Sequence, residues 1–543
     1  MRTLPAIALE TDAVGAPKMP RAAEDDSQAT PSPSGTTESF RDASSYVQIL
    51  RSSALIGGSS AMNIAIGIVR TKAMAMLLGP AGFGLMGALT TIADLAHSVA
   101  GMGINKSGVR QIAESVGQGN ASAIARTVIV LRRTAIVLGL LGAALLILFA
   151  QQVAELTFGS VELAGAVALL SLVVLFRLFA DGQGAMLQGM RRIGDLAKVS
   201  IVGTFFGSIA SIALVYMLRE QGLALALVAL AAASAIASWW YARRIELGST
   251  SLTIKQVIGD ATGLLRLGLA FMASGLLMMG TAYIVRIILI NHDGLRSAGL
   301  YQAAWTLGGM YVGIVLQAMG ADFYPRLVAA ARDDTATNRL VNEQALVSLL
   351  LAGVGVLTTL VFAPTIISLF YSAEFAAASE TLRWICLGMT LRVISWPMGF
   401  IIVARNAQRL FIATESAWAL LSVALAWLLV PVWGVRGAGI AFFASYVLHA
   451  LMIYPIVSRL SGFRWSRDNL RIGALVLLTV GAVFAMPYQL GPKLTMAIGS
   501  LCLLLFGLFA LKTLMTLVPA ASLPRRLDAV LRPLLRLAGR VSR

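Results

Sequence analysis

Long apolar segments follow one another along most of this 543-residue chain. We count fourteen segments of about 20 residues or more, and each is long enough as a helix to cross roughly 30 Å of hydrocarbon. Hydrophobic residues make up 58% of the chain and charged residues only 13%, which is far from the balance of a water-soluble protein. The sequence therefore predicts an all-α polytopic membrane protein with about 14 transmembrane helices.

The basic residues indicate how these helices are oriented. One set of loops carries many of them, including Arg132, Arg133, Arg191 and Arg192, whereas the opposite loops carry only Arg219, Arg296, Arg436 and Lys493. Because Lys and Arg concentrate in cytoplasmic loops, both termini are predicted to be cytoplasmic. The net charge of +17 is thus explained by topology, and nucleic-acid binding is not indicated.

Short sequence patterns recur about 215 residues apart. Residues 81–85 (AGFGL) enter the second apolar segment, and residues 298–302 (AGLYQ) enter the eighth. Six segments per repeat give both halves the same orientation, so a pseudo-twofold axis along the membrane normal is expected. We predict two parallel six-helix bundles, 44–262 and 263–462, and two further transmembrane helices in 463–518. The acidic, Pro/Ser-rich residues 1–43 read as a disordered cytoplasmic tail and residues 519–543 as a basic amphipathic cytoplasmic tail.

Arginines inside the apolar segments are the main candidate functional residues. An arginine in a bilayer is costly, and it usually faces a partner or a water-filled path. Arg70 and Arg177 have counterparts in Arg286 and Arg392, and Lys72 follows Arg70. We predict that these five line a cationic cavity that binds substrate, since guanidinium suits a diphosphate or an acidic sugar. Snorkelling to the headgroups or structural ion pairing is the alternative, above all for Arg286.

Two carboxylates lie in the same segments. Asp181 is one helical turn from Arg177, and Asp94 is three residues before His97, so both are expected to pair along their own helix. The alternative role for Asp94 and Asp181 is proton or sodium coupling. The cysteines and histidines show no metal-ligand spacing, and no cofactor is expected.

The opening of the chain resembles a known family. The matching residues are 70–73 (RTKA), 78–85 (LGPAGFGL) and 101–104 (GMGI). They resemble the Wzx-like polysaccharide flippases of the multidrug/oligosaccharidyl-lipid/polysaccharide superfamily, similar in form to the O-antigen and enterobacterial common antigen translocases. The resemblance implies a V-shaped pair of bundles with a cationic lumen and alternating access. It also implies movement of an undecaprenyl-diphosphate-linked oligosaccharide to the outer leaflet of a bacterial inner membrane for surface polysaccharide biosynthesis, among membrane lipids and with a polysaccharide polymerase or export machinery as partner.

Other function classes stay open at this stage. A lipid II flippase of peptidoglycan synthesis shares the fourteen helices and the cationic cavity. A cation-coupled multidrug exporter would use cavity carboxylates, and the excess of arginine argues against it. A membrane glycan polymerase or ligase would carry a long outer loop with catalytic groups. A major-facilitator transporter would carry a basic loop of the Gly-Asp-Arg type after its second helix, and residues 104–121 do not contain that motif.

Overall fold

The computed structural model describes residues 35–245 and 252–517, and all regular structure in these ranges is helical. Chain contacts separate a unit Met1–Ala54 from a unit Leu55–Arg543. The helices are α1 Gly35–Gly101, α2 Ile104–Gly117, α3 Ala121–Leu148, α4 Ala150–Phe158, α5 Ala164–Gly189, α6 Ile193–Leu218, α7 Leu223–Ala242, α8 Ile254–Ala329, α9 Asp334–Val361, α10 Ala363–Phe370, α11 Ala378–Ala404, α12 Gln408–Ser461, α13 Arg467–Gln489 and α14 Pro492–Leu517.

The described part of the chain contains ten helical stretches that are long and apolar enough to cross a membrane. Four of them, Gly57–Gly101, Ile193–Ala242, Gly275–Leu316 and Gln408–Ser461, are 42 to 54 residues long and each is interrupted once near its middle. The expected all-α polytopic membrane fold is confirmed. The number of fourteen crossings stays a prediction, as do the domain boundaries.

The predicted tails fall mostly outside the described residues. Residues 1–34 and 519–543 are not described, whereas residues 35–43 already belong to α1. The helix begins directly after the Pro31–Pro33 run, which is consistent with the poor tolerance of proline inside a helix.

Polar side chains define several helix starts. Asn120 accepts a hydrogen bond from the backbone of Ala123 at the start of α3, and Asp333 caps α9 in the same way. Thr253 and Gln256 form a capping box at the start of α8. Such caps satisfy backbone N–H groups that the helix itself leaves unpaired. They place helix starts at polar loops, where the sequence carries its basic residues.

Backbone irregularities recur at the spacing of the sequence repeat. Three pairs of residues 215 positions apart have left-handed φ: Gly79 (64°) and Gly294 (79°), Arg191 (56°) and Asn406 (55°), Arg219 (53°) and Gly434 (55°). The first pair also shares an extended ψ, and the third shares ψ near −135°. The first and third pairs are the breaks inside the long stretches, and the second pair lies in the turns before α6 and α12, so the two halves turn at equivalent places.

The two halves touch most closely where α1 crosses α8. A Cβ on Gly84 would overlap the carbonyl oxygen of Leu295, and a Cβ on Gly299 would overlap that of Pro80. Gly84 and Gly299 are repeat equivalents, and so are Pro80 and Leu295, so the contact maps onto itself when the halves are exchanged. Only glycine permits backbones this close. The reciprocal contact supports a pseudo-twofold axis that passes between these two glycines.

Helix packing follows the same division. α3 packs on α5, α5 on α7 and α6 on α7, whereas α8 packs on α11 and α12 and α11 on α9 and α12. α13 and α14 both pack on α9 and add nothing to the first set. The last two helices therefore lie on one side of the second half.

Candidate functional site

Two ion pairs in the first half join α1 to α5. Arg177 donates to Asp94, and Asp181 lies 2.9 Å from Nε2 of His97. The four side chains keep between 26% and 39% of their surface exposed, although they lie well inside apolar helices. They form a partly exposed cluster of ionisable groups, which we call the charge cluster.

This pairing corrects the sequence analysis. We expected Arg177 to pair with Asp181 and Asp94 with His97 along their own helices, and both expectations are wrong. The neighbouring helix presents a group of opposite charge at each level, so every pair forms between helices. Interhelical pairs of this kind also tie α1 to α5.

Arg70 lies next to the charge cluster without joining it. Its side chain is largely buried and feels the like charge of Arg177. Within the described residues Arg70 has no ion pair. A cation that is both desolvated and beside another cation is unfavourable until an anion approaches.

Arg286 occupies the contact between the two halves and is not open to solvent. It keeps 7% of its surface, donates to the carbonyl oxygen of Gly87 at 2.7 Å and donates to Gln302. Gly87 belongs to α1 and Gln302 to α8, and they too are repeat equivalents. This guanidinium therefore holds the two halves together beside the closest backbone contact.

Arg392 lines a pocket of about 600 Å³ that lies in the second half. The lining comes from α8, α11 and α12 and is rich in methionine and aromatic side chains. The guanidinium approaches the sulfur of Met278 at 3.9 Å and lies 5.9 Å from the ring centres of Trp396 and Tyr446. No described carboxylate lies within 4.0 Å of it.

Lys72 belongs neither to the charge cluster nor to the lining of the pocket beside Arg392. Its ammonium donates to the carbonyl oxygen of Leu369 at 2.7 Å, which links α1 to the end of α10. Phe83 packs nearby, edge-on against Tyr371 and Phe375, with ring centres 5.4 and 5.6 Å away. These contacts close one end of the interface between the halves, the end that the predicted orientation places outside. Lys72 is thus held at this end by a backbone carbonyl, while Arg70 and Arg177 lie together in the first half, Arg286 between the halves and Arg392 in the pocket of the second half.

Contacts between the halves also exist toward the opposite end. A Cβ on Gly103 would overlap the carbonyl oxygen of Gly268, and a Cβ on Gly268 would overlap that of Met102. Arg126 forms two hydrogen bonds to Asp260, at 2.6 and 3.0 Å. The structure therefore holds the halves together at both ends.

Glu415 is a membrane-embedded acid that the sequence analysis missed. It interacts electrostatically with Arg392, as do His449 and Tyr446 on the same long helix. The signal that could have revealed Glu415 in the sequence is a single acidic residue inside an apolar segment. The described part of the site thus holds three carboxylates, on Asp94, Asp181 and Glu415, beside its four arginines, so the positive excess is smaller than expected. No metal-binding group of three His, Cys, Asp or Glu residues occurs among the described residues.

Sequence comparisons agree with this architecture. A family model described as "Polysaccharide biosynthesis protein" matches residues 73–380, more than half of the chain. The chain is 23% identical over 407 residues to the lipid III flippases of Escherichia coli (strain K12) and Shigella flexneri, covering 74% of this chain and 96% of each relative. The resemblance seen in the sequence is confirmed.

Solved structures share the fold at low identity. An inward-facing multidrug resistance MATE family transporter of the MOP superfamily has a TM-score of 0.62 at 16% identity, covering 73% of this chain and 95% of its own. The lipid II flippase MurJ in an inward closed conformation has a TM-score of 0.62 at 14% identity, covering 86% and 100%. These likenesses establish the fold alone.

Proposed function

Because the chain belongs to the polysaccharide biosynthesis protein family, we propose that it is a flippase for lipid-linked oligosaccharides in a bacterial inner membrane. The cargo is a polyprenyl-diphosphate-linked glycan, which moves from the cytoplasmic to the outer leaflet for surface polysaccharide biosynthesis. No covalent bond changes in this process, and no cofactor takes part. Glycan assembly on the inner leaflet supplies the cargo, and a polymerase or export machinery takes up the translocated product.

The observation that carries the proposal is the pair Arg70 and Arg392. Both guanidiniums lie within apolar helices, one in each half, and neither has an ion pair within the described residues. A guanidinium of this kind gains most from a ligand that brings its own negative charge into the membrane. Phosphate oxygens suit it because they accept two parallel N–H bonds from one guanidinium.

Arg177 joins these two after a change of partner. In the present structure it is bound to Asp94, so a diphosphate competes with that carboxylate. Uptake of a proton or a sodium ion by Asp94 would release Arg177 to the substrate, and Asp181, paired with His97, is the second candidate for ion coupling. Ion coupling through the charge cluster is therefore part of the proposal, and alternating access follows from breaking the contacts between the halves at one end at a time.

The lipid II flippase stays the second candidate. Both cargoes carry a polyprenyl diphosphate, so the site does not separate them. Mass spectrometry of the lipid that copurifies with a variant trapped by a cross-link between the halves distinguishes the two glycans.

Alanine replacement of Arg177 or Arg392 tests the proposal in cells that depend on this chain for surface glycan. Each loses a hydrogen-bonded charge contact to substrate worth about 1.5–3 kcal/mol, so export should fall about 10- to 150-fold at normal expression. Arg409→Ala is the matched control, because this exposed arginine begins α12 away from the pocket. Export at the wild-type rate by both Arg177→Ala and Arg392→Ala would contradict the proposal.

A further inference from the structure

The pocket beside Arg392 has a continuous aromatic wall. Trp305 stacks on Tyr301 and meets Phe442 edge-on at 5.0 Å, Phe442 meets Tyr446 at 5.0 Å, and Tyr446 meets Trp418 at 5.6 Å between ring centres. We call this cavity of about 600 Å³ the aromatic pocket. Its volume is typical of small-molecule sites, which bury most of their ligand's surface.

The equivalent positions in the first half carry no such wall. At a spacing of 215 residues, the counterparts of Trp305, Trp418, Phe442 and Tyr446 are Thr90, Gly203, Leu227 and Ala231. The reverse holds for the charge cluster, because the counterparts of Asp94, His97 and Asp181 are Gly309, Val312 and Trp396. The two halves share a backbone and have diverged in chemistry, so they perform different tasks.

Several polar atoms of the pocket lack a partner. The indole Nε1 of Trp418, the hydroxyl of Ser422 and Nε of Arg392 are buried and hydrogen-bond to no group in the described part of the chain. Trp418 keeps 9% of its surface and Ser422 keeps 7%, and both line the cavity. An acyl chain or an apolar cation would leave these atoms unsatisfied, at a cost for each. In the present structure these atoms have almost no accessible surface, so a ligand with hydroxyl groups at its edge would satisfy them after a side-chain rotation that turns them toward the cavity.

We propose that the aromatic pocket binds the sugar ring that is attached directly to the diphosphate. This inference rests on the proposed function, because Arg392 at the pocket then holds the adjacent phosphate. A sugar ring has C–H faces that pack on the electron-rich faces of Trp and Tyr, and hydroxyl edges that reach Trp418 and Ser422. The first half supplies charge and coupling, and the second half recognises the glycan.

The test compares four soluble probes on the full-length protein in nanodiscs by calorimetry. One is bare citronellyl diphosphate, and each of the other three is citronellyl diphosphate carrying one glucose, galactose or N-acetylglucosamine. With at least one sugar, the glycosylated probe should bind wild type about tenfold more tightly than the bare probe. Trp418→Leu should abolish this gain and Ser422→Ala should reduce it about fivefold, with affinity for the bare probe unchanged. Trp427→Leu, on the lipid-facing side of the same helix, is the matched control and should keep the full gain.

The outcomes distinguish failure of the sugar pocket from failure of the proposed function. Equal affinity of wild type for all four probes contradicts the sugar pocket and leaves the proposed function standing. Failure of every probe to bind contradicts the proposed function itself. Binding of tetraphenylphosphonium that depends on Trp418, without any gain from a sugar, would assign the pocket to apolar cations and overturn the inference. Retained affinity of Trp418→Leu for citronellyl diphosphate shows that the variant is folded.

Discussion

Replacement of Gly84 by alanine tests the closest contact between the two halves. The added Cβ would lie 2.8 Å from the backbone nitrogen of Gly299 and still closer to the carbonyl oxygen of Leu295, whereas nonbonded heavy atoms normally lie about 3.5–4.0 Å apart. Both obstacles are backbone atoms, so relief requires α1 and α8 to separate by about 1 Å. Overpacking costs about 1–3 kcal/mol, and the upper end is expected where no side chain can move aside.

Gly84→Ala should therefore shift the equilibrium from the closed toward the open form at the end of the interface where Phe83 packs on Phe375. A loss of about 3 kcal/mol from the closed form corresponds to about 150-fold in population. Cross-linking of Phe83→Cys to Phe375→Cys by a short bismaleimide measures it, since these side chains are in contact, with ring centres 5.6 Å apart, when the end is closed. Gly67→Ala is the control on the same helix, because its Cβ would meet nothing within 4 Å. Equal cross-linking rates for Gly84→Ala and Gly67→Ala would refute the reasoning.

Three further predictions concern the ion pairs and the buried arginine. Arg126→Glu should lower the melting temperature only slightly, because Arg126 and Asp260 are 45% and 35% exposed and water screens their attraction; the double reversal with Asp260→Arg should restore the melting temperature, and no restoration would contradict the pair. Arg286→Lys should lower stability by about 1–2 kcal/mol in thermal unfolding, because one ammonium cannot reproduce the guanidinium's two bonds. An unchanged melting temperature would contradict the conclusion that Arg286 holds the two halves together. Asp94→Asn should remove the dependence of transport on an ion gradient, measured in proteoliposomes, and wild-type dependence would exclude this carboxylate from coupling.

The sequence was sufficient for the elements that a bilayer dictates. Apolar length predicts the helical stretches, and the constant spacing of weak patterns predicts the repeat that reappears in the pairs Gly79/Gly294 and Arg219/Gly434. The cost of a buried arginine also singles out residues that the structure places beside a pocket or a partner, such as Arg392 and Arg286.

The partners of these arginines could not be predicted because they depend on helix rotation and register. Spacing along one helix favoured Arg177 with Asp181, whereas the packing of α1 on α5 offers Asp94 at the right level. The aromatic pocket was invisible for a related reason. Trp and Tyr in an apolar segment suit lipid, core or cavity equally well, and only the fold separates Trp418 in the pocket from exposed Trp427 on the same helix.

Translocation by the purified protein in proteoliposomes tests the central claim most directly. The measurement is the rate at which a polyprenyl-diphosphate-linked oligosaccharide, labelled on its sugar, becomes accessible on the opposite face of the vesicle. The account predicts a loss of at least about hundredfold for the double variant Arg177→Ala/Arg392→Ala, while Arg409→Ala keeps the wild-type rate. Full-rate translocation by the double variant would contradict the claim that these guanidiniums carry the phosphorylated head group across the membrane.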